Sequence, residues 1–188
     1  MQLDQAIQSR KSVRKFSKKK PDWRDIIECI DSCRYAPMAG NIFTLKFILV
    51  SDSKTIQKLA DAAQQDFIAQ SQYVVVVCSN PKLTENAYAN FSETFLRQQA
   101  GAAIQNFLLK IQEKNLATCW VGYFIEDQVK KALKIPNTIK VEAFFPISNI
   151  SKEKGTAQRQ KQKIDLDSIL YFEEYKNKKM NPPKKMNV

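Results

Sequence analysis

The chain has 188 residues, 44% of them hydrophobic, and a formal net charge of +11 at pH 7, which is enough apolar material to bury the core of one domain. It contains no histidine, so a serine–histidine or cysteine–histidine catalytic centre is excluded. The four cysteines form no CxxC pair and the four glycines are too dispersed for a GxGxxG or Walker loop, so neither a structural zinc site nor a glycine-rich nucleotide site is predicted.

The chain begins with two predicted helices that are separated by a basic segment. Apolar spacing predicts a helix over residues 3–10 and a second over residues 21–35, with Asp22 as its N-cap. Cys29 and Cys33 share one face of the second helix. Two buried thiols are favoured there over a redox pair, because cysteine behaves as a small hydrophobe. A proline-containing loop follows.

The rest of the chain alternates predicted strands and helices. Apolar runs predict strands over residues 45–50, 73–78, 117–123 and 141–147. Helical spacing predicts helices that begin at residue 52 and that cover residues 84–115, with a break near Asn90, and residues 127–133. Gly101 lies in a patch of small residues that permits close packing, either against the chain's own sheet or against a second subunit, and we weigh these two equally.

This order of elements predicts an α+β fold in which helices sandwich a mixed sheet. The valine run over residues 74–77 requires cover on both faces. A doubly wound fold would ordinarily have a glycine-rich crossover turn, which the sequence lacks. Residues 1–175 are predicted to form a single domain, and residues 176–188 a basic, flexible tail.

The location and the charge bear on possible partners. No apolar run approaches the roughly 20 residues of a membrane-spanning helix, and the N-terminus lacks the pattern of a signal peptide. We therefore expect a cytoplasmic protein without membrane contact. The basic residues cluster within residues 10–20, 152–163 and 176–185. Because these segments lack an aromatic or helical recognition pattern, a non-catalytic nucleic-acid-binding protein ranks well below the hypothesis developed next.

The first basic cluster is the strongest candidate for a binding site. Arg10, Ser12 and Arg14 alternate with Lys11 and a valine, and alternate residues of an extended segment point to the same side. Two guanidinium groups and a hydroxyl would then converge, an arrangement that suits a dianionic phosphate. A solvated basic helix end is the competing interpretation, and it fits the lysines at positions 18–20 well.

Three segments resemble motifs of the nitroreductase family. Residues 7–16, IQSRKSVRKF, are similar to that family's RRSVRxF stretch. Residues 36–41, APMAGN, resemble its APSxxN loop, and residues 115–122, NLATCWVG, resemble its GLGxxWIG segment. The motifs occur in the family's order and at fitting spacings, and the resemblance covers roughly residues 3 to 170.

The resemblance implies a three-layer α/β/α sandwich with a mixed, mainly antiparallel sheet, and a homodimer with FMN at the subunit interface. Cofactor-binding residues carried over from the family are Arg10, Lys11, Ser12, Arg14, Met38, Asn41, Trp120, Val121, Gly122, Lys161 and Lys163. Arg159 is a register-shifted alternative to the two C-terminal lysines. Backbone groups near Gly122 would address the redox-active edge of the flavin, which a residue without a side chain allows.

The implied activity is that of an FMN-dependent oxidoreductase. NADH or NADPH would reduce the flavin, which then passes electrons to a small-molecule acceptor such as a nitroaromatic or a quinone in a ping-pong cycle. No catalytic side chain is predicted, since FMN carries the chemistry itself. The alternative within the same fold is a flavin-binding protein without reductase activity.

The sequence departs from the family motifs at several positions. Met38 replaces the usual serine, and residues 41–44 lack the common Gln-Pro pair. Residues 145–149 lack the Gly-Tyr pair that usually follows the last core strand. For Trp120, composition alone favours a core position and the order of the motifs favours the flavin site. For the aromatic residues at positions 88, 91 and 95, helix packing is preferred over a role in a substrate pocket.

Overall fold

The computed structural model describes residues 1–151 and 164–180, and the chain divides into two compact units, Met1–Glu153 and Lys154–Val188. The helices of the first unit are α1 (Leu3–Ser9), α2 (Trp23–Asp31), α3 (Ser53–Ala63), α4 (Lys82–Tyr88), α5 (Ser92–Glu113) and α6 (Glu126–Leu133). Its strands are β1 (Leu45–Val50), β2 (Tyr73–Ser79), β3 (Leu116–Thr118) and β4 (Lys140–Asn149). Short 3₁₀ turns cover Ser32–Tyr35, Ala39–Asn41, Asp66–Gln70 and Ala89–Phe91.

The four strands form one sheet in the order β1-β2-β4-β3. Leu45 at the start of β1 lies opposite Ser79 at the end of β2. At the other end of the sheet, Ile147 of β4 lies opposite both Tyr73 of β2 and Thr118 of β3. Every pair among these strands is antiparallel. Within the described residues the sheet is therefore entirely antiparallel, whereas the sequence predicted a mixed, mainly antiparallel one.

Helices cover both faces of the sheet, which confirms the predicted α+β sandwich. Val75 and Val77 of β2 belong to an apolar cluster with α2 and α5, whereas Val74 and Val76 belong to a second cluster with α3 and α6. All four valines are buried. Because successive side chains of a strand point to opposite faces, one uninterrupted valine run supplies both cores.

The helices are fixed at their ends by charged side chains. Asp22 and Asp52 cap α2 and α3 by accepting hydrogen bonds from backbone N–H groups at 2.9 and 2.8 Å, as N-cap residues do. Lys114, directly after α5, forms ion pairs with Glu28 and, at 3.0 Å, with Asp25 of α2. Hydrogen bonds to these two carboxylates raise the pKa of Lys114. The ion pairs join α2 to the end of α5.

Two elements bear on the site because of where they are interrupted. The long helical pattern is divided at Ala89–Phe91, which confirms the predicted break. The strand predicted over residues 117–123 is shorter than expected: β3 ends at Thr118, and only Val121 resumes pairing, with Phe144. In this register Pro146 lies opposite Cys119, and a proline has no N–H to donate, so the ladder is interrupted there.

The second unit is described over residues 164–180. Its helix, α7 (Leu166–Ile169), is capped by Asp165, which accepts a hydrogen bond from the N–H of Asp167 at 3.3 Å. Lys178 donates a hydrogen bond to the carbonyl oxygen of Leu170 at 3.0 Å, and its ammonium group lies 3.9 Å from the centre of the Tyr171 ring. Across both described parts of the chain, no helix has the length and apolar character to cross a membrane.

The thiols of the first unit are expected to be inert while the protein is folded. Cys29 and Cys33 are free and fully buried, which agrees with the interpretation as core thiols. Burial raises the pKa of each to about 12, so the reactive thiolate is scarce at neutral pH. Incubation with iodoacetamide at pH 8 should leave the mass of the native protein unchanged, and urea should make all four cysteines reactive. Labelling of Cys29 or Cys33 without urea would contradict the buried placement.

Candidate functional site

The basic segment of residues 10–17 lies along the end of the sheet where β3 and β4 meet. The N–H of Val13 donates to the carbonyl oxygen of Thr118 at 2.8 Å. The N–H of Ser17 donates to the carbonyl oxygen of Asn149 at 3.0 Å, and Ser148 donates through its hydroxyl to the carbonyl of Ser17 at 2.6 Å. These bonds place two of the sequence motifs side by side, since Thr118 directly precedes Cys119 and Trp120.

The two arginines of this segment, Arg10 and Arg14, form no ion pair within the described residues, 1–151 and 164–180. Arg14 lies over the ring of Phe67, with its guanidinium carbon 5.7 Å from the ring centre. Ser12 and Arg14 are exposed, and Arg10 and Lys11 are half-buried. Two unneutralised guanidinium groups within five residues of sequence favour an anionic ligand.

The segment after β3 presents an aromatic surface beside the basic segment. Trp120 is 43% exposed, and it packs edge-on against Phe145, with ring centres 5.7 Å apart. Val121 is buried and exchanges two backbone hydrogen bonds of 3.0 Å with Phe144. A methyl group built on Gly122 would come no closer than 3.5 Å to the Trp120 indole. Trp120 is therefore not a core residue within this chain, and the position beside Gly122 is bordered by the Trp120 indole without a clash.

Thr118 has an unusual hydroxyl at the junction of the two segments. Its Oγ1 is buried and has no hydrogen-bond partner among the described residues, the single buried side-chain polar atom of which this is true there. An unpaired buried hydroxyl costs on the order of 1–3 kcal/mol. Sequence reasoning missed Thr118 because a threonine in a short strand is ordinarily a structural residue.

The loop of Met38–Asn41 is held in place by α5. The side-chain carbonyl of Gln99 accepts hydrogen bonds from the N–H and the hydroxyl of Thr44, at 2.9 and 2.5 Å, and its amide donates to the carbonyl of Ile42 at 2.8 Å. Gln99 is buried with its polar atoms paired. α5 contains several other polar residues, among them Gln98 and Gln105, so nothing local in the sequence distinguishes Gln99 from them. Met38 is half-buried and Asn41 is exposed.

The loop and the basic segment lie at opposite corners of the sheet. The loop leads into Leu45, opposite Ser79, whereas Val13 adjoins Thr118, whose row of the sheet contains Tyr73. The six residue steps from Tyr73 to Ser79 correspond to about 20 Å along the strand. β1 and β3 are also opposite edges of the four-stranded sheet, about 14 Å apart. One chain thus brings Arg10–Arg14 to Trp120–Gly122 and leaves Met38 and Asn41 apart from them.

The structure does not describe the predicted C-terminal part of the phosphate site. Lys161, Lys163 and Arg159 fall outside the described residues. Two surface depressions, one on α6 and one between α2 and α5, include none of the predicted cofactor-binding residues. The absence of predicted site residues from both depressions is consistent with a site that is divided between two corners of the sheet, because neither half encloses a cavity by itself.

An α+β sandwich that presents unneutralised arginines beside an exposed tryptophan defines a class of protein suited to an anionic, planar ligand. The model of the Nitroreductase family matches residues 7–147, and the chain belongs to that family. The resemblance drawn from the three motifs is confirmed. A relative from Archaeoglobus fulgidus, named "Putative NADH dehydrogenase/NAD(P)H nitroreductase", is 28% identical over 153 residues, which are 79% of this chain and 85% of the relative.

Solved structures agree on the fold. A nitroreductase family protein from Clostridium novyi NT has a TM-score of 0.73 at 24% identity, and the match covers 94% of this chain and 96% of that one. Oxidised iodotyrosine deiodinase bound to FMN and 3-iodo-L-tyrosine has a TM-score of 0.73 at 19% identity, over 88% of this chain and 98% of that one. At these identities the likeness establishes the architecture.

Proposed function

We propose that the protein is an FMN-dependent oxidoreductase that uses NADH or NADPH to reduce a small acceptor, such as a nitroaromatic or a quinone, by a ping-pong mechanism. The observation that carries this proposal is the backbone hydrogen bond from Val13 to Thr118, which joins the two motifs. The segment with Arg10 and Arg14, which form no ion pair within the described residues, thus lies against the strand that leads to the exposed Trp120. The A. fulgidus relative's name supports NAD(P)H as the reductant, and the deiodinase structure contains FMN.

The residues present fit FMN. Arg10, Ser12 and Arg14 would hold the phosphate and the ribityl chain through charge-assisted hydrogen bonds. The strand segment leads from Thr118 to Gly122, so the ring would lie along Trp120 and the backbone near Gly122. The unpaired hydroxyl of Thr118 lies at the start of this segment. Bound FMN would supply the hydride chemistry, so the chain needs only to bind, orient and exclude water.

A homodimer would unite the two corners of the site. We propose that Met38 and Asn41 of one subunit face the Arg10–Trp120 side of the other. Large apolar side chains are exposed on α1 and α2, namely Leu3, Ile7, Trp23 and Ile27, and such surfaces mark protein interfaces. A methyl group built on Gly101 would meet no atom within 4 Å in this chain. The small-residue patch thus fits a second subunit better than the chain's own sheet. Lys161 or Lys163, or Arg159, would close the phosphate site.

Tryptophan fluorescence tests the proposal because the chain contains two tryptophans. In a Trp23→Phe variant, Trp120 is the remaining emitter, and titration with FMN should quench it saturably through contact with the flavin. In the matched Trp120→Phe variant, Trp23 emission should change little. Adding NADH or NADPH without oxygen should then bleach the visible flavin band.

The outcomes separate the alternatives. A protein that takes up no FMN, with unchanged emission from Trp120, would refute the flavin assignment. Uptake of FMN without bleaching by either nicotinamide would indicate a flavin-binding protein that is not a reductase.

A further inference from the structure

The loop of Met38–Asn41 is covered by a tyrosine that no motif identified. Tyr88, the last residue of α4, places its hydroxyl directly over Gly40, where the atom would collide with a methyl group on that residue. Gly40 and Asn41 both have φ of 57°. This left-handed conformation is unfavourable for most residues with a side chain, and glycine and asparagine adopt it more readily than the others. We propose that Tyr88 is a positioning residue, which holds Gly40 and Asn41 in this conformation and thereby directs the Asn41 amide to the flavin.

The position of Tyr88 is itself fixed by its neighbours. Its ring packs edge-on against Phe95 of α5, with centres 5.0 Å apart and planes at 86°. The hydroxyls of Thr84 and Ser92 are hydrogen-bonded at 2.6 Å, which joins α4 to α5. Between them Ala89 has φ of 41° and ψ of −115°, a conformation that persists only where the surroundings enforce it. Tyr88 is therefore held by rigid packing.

Asn41 is the residue through which Tyr88 acts. The Asn41 side chain is exposed and forms no hydrogen bond within the described residues, and the Tyr88 hydroxyl likewise has no hydrogen-bond partner there. A left-handed backbone at Asn41 gives its amide one direction, whereas a relaxed loop would give it several. The inference rests on the proposed function, because the ligand of the amide is the flavin.

Phe91 lies in the 3₁₀ turn between α4 and α5. It is 65% exposed and stacks on Phe95, with ring centres 6.0 Å apart. The predicted role in helix packing therefore fits Tyr88 and Phe95, whose rings pack on each other, better than the exposed Phe91. Tyr88 and Phe95 belong to the same chain as the loop, so the contact between Tyr88 and Gly40 does not depend on a second subunit.

A double-mutant cycle tests whether Tyr88 acts through Asn41. Tyr88→Leu and Asn41→Ala should each raise the Kd for FMN by roughly tenfold, the effect of about one lost hydrogen bond. The double variant should bind FMN no more weakly than Asn41→Ala alone, because Tyr88 has no amide left to position once Asn41 is alanine. Multiplied losses, of roughly a hundredfold, would overturn the inference. The inference would also be overturned if the Tm of the flavin-free Tyr88→Leu protein fell in step with its affinity for FMN, because that would indicate a merely structural role.

A steric test guards against misfolding of the leucine variant. Gly40→Ala should weaken FMN binding by roughly tenfold or more. Adding Tyr88→Phe removes the colliding hydroxyl and leaves ring carbons at 3.3 and 3.4 Å, so it should restore at least part of the affinity. No restoration would count against the inference. Tyr175→Phe, which deletes an exposed hydroxyl in the second unit, should leave the Kd unchanged.

Failure of the inference can be distinguished from failure of the proposed function. Binding of FMN to the unmodified protein, measured first by flavin fluorescence, tests the function. The coupling between positions 40, 41 and 88 tests the inference, and it is measured only as a ratio among variants. A protein that binds FMN and shows no coupling would keep its function and lose the assigned role of Tyr88.

Discussion

Replacing Arg10 and Arg14 together by alanine will lower the affinity for FMN by about two to four orders of magnitude. A hydrogen bond to a charged group contributes about 1.5–3 kcal/mol, so two guanidinium groups on one phosphate contribute about 3–6 kcal/mol. The substitution should weaken FMN binding with little effect on the stability of the flavin-free protein. Neither arginine has a carboxylate partner within residues 1–151 or 164–180 that would be left unpaired. Flavin fluorescence during titration of the flavin-free protein measures the change.

The matched control removes the same number of charges from the residues that directly follow the basic segment. Lys18 and Lys19 are exposed, and Lys19 contacts Asn149 through its backbone carbonyl alone. A Lys18→Ala/Lys19→Ala variant should retain FMN within about threefold, since charges on the surface are screened by salt. An equal loss in both variants would mean that the segment attracts FMN by general charge, and it would contradict a specific phosphate site.

The fold could be predicted from local patterns because they agree with its packing. The valine run of β2, the aspartate caps of α2 and α3 and the break before α5 are each written in a few adjacent residues. The length of β3 could not be predicted in this way. It depends on Pro146, which lies on another strand, and periodicity along one segment carries no information about the residue opposite.

The separate segments of the candidate site could be predicted from the sequence, but their positions relative to one another on the sheet could not. Alternation within residues 10–14 indicated a phosphate site, and the structure places that segment against Thr118. The motif order alone gave no sign that the Met38–Asn41 loop lies at the far corner of the sheet. Tyr88 and Gln99 were missed because their roles come from contacts across 48 and 55 positions of the sequence, and the packing of helix residues gives no local signal of such roles.

The separation of the two corners leads to the second large expected effect, which concerns mixed dimers. Arg10→Ala/Arg14→Ala damages the phosphate side, and Gly40→Val/Asn41→Ala damages the loop side. The first variant should bind almost no FMN, and the second should bind FMN at least roughly tenfold more weakly than the unmodified protein. In a mixed dimer whose sites are shared between subunits, one site combines both lesions and the other combines the two undamaged halves. Mixed dimers purified through two different tags should therefore bind one FMN each, and they should oxidise NADH or NADPH.

The contrary arrangement gives a different count. If each chain formed its site alone, both sites of the mixed dimer would carry one lesion, and neither would bind FMN with the affinity of the unmodified protein. The distance of about 20 Å along the sheet between the loop and the basic segment favours the shared arrangement, because a single cofactor would have to bridge it within one chain. A mixed dimer without flavin would refute the shared site while leaving the role of Arg10 and Arg14 intact. The stoichiometry of bound flavin thus decides which chain supplies the loop.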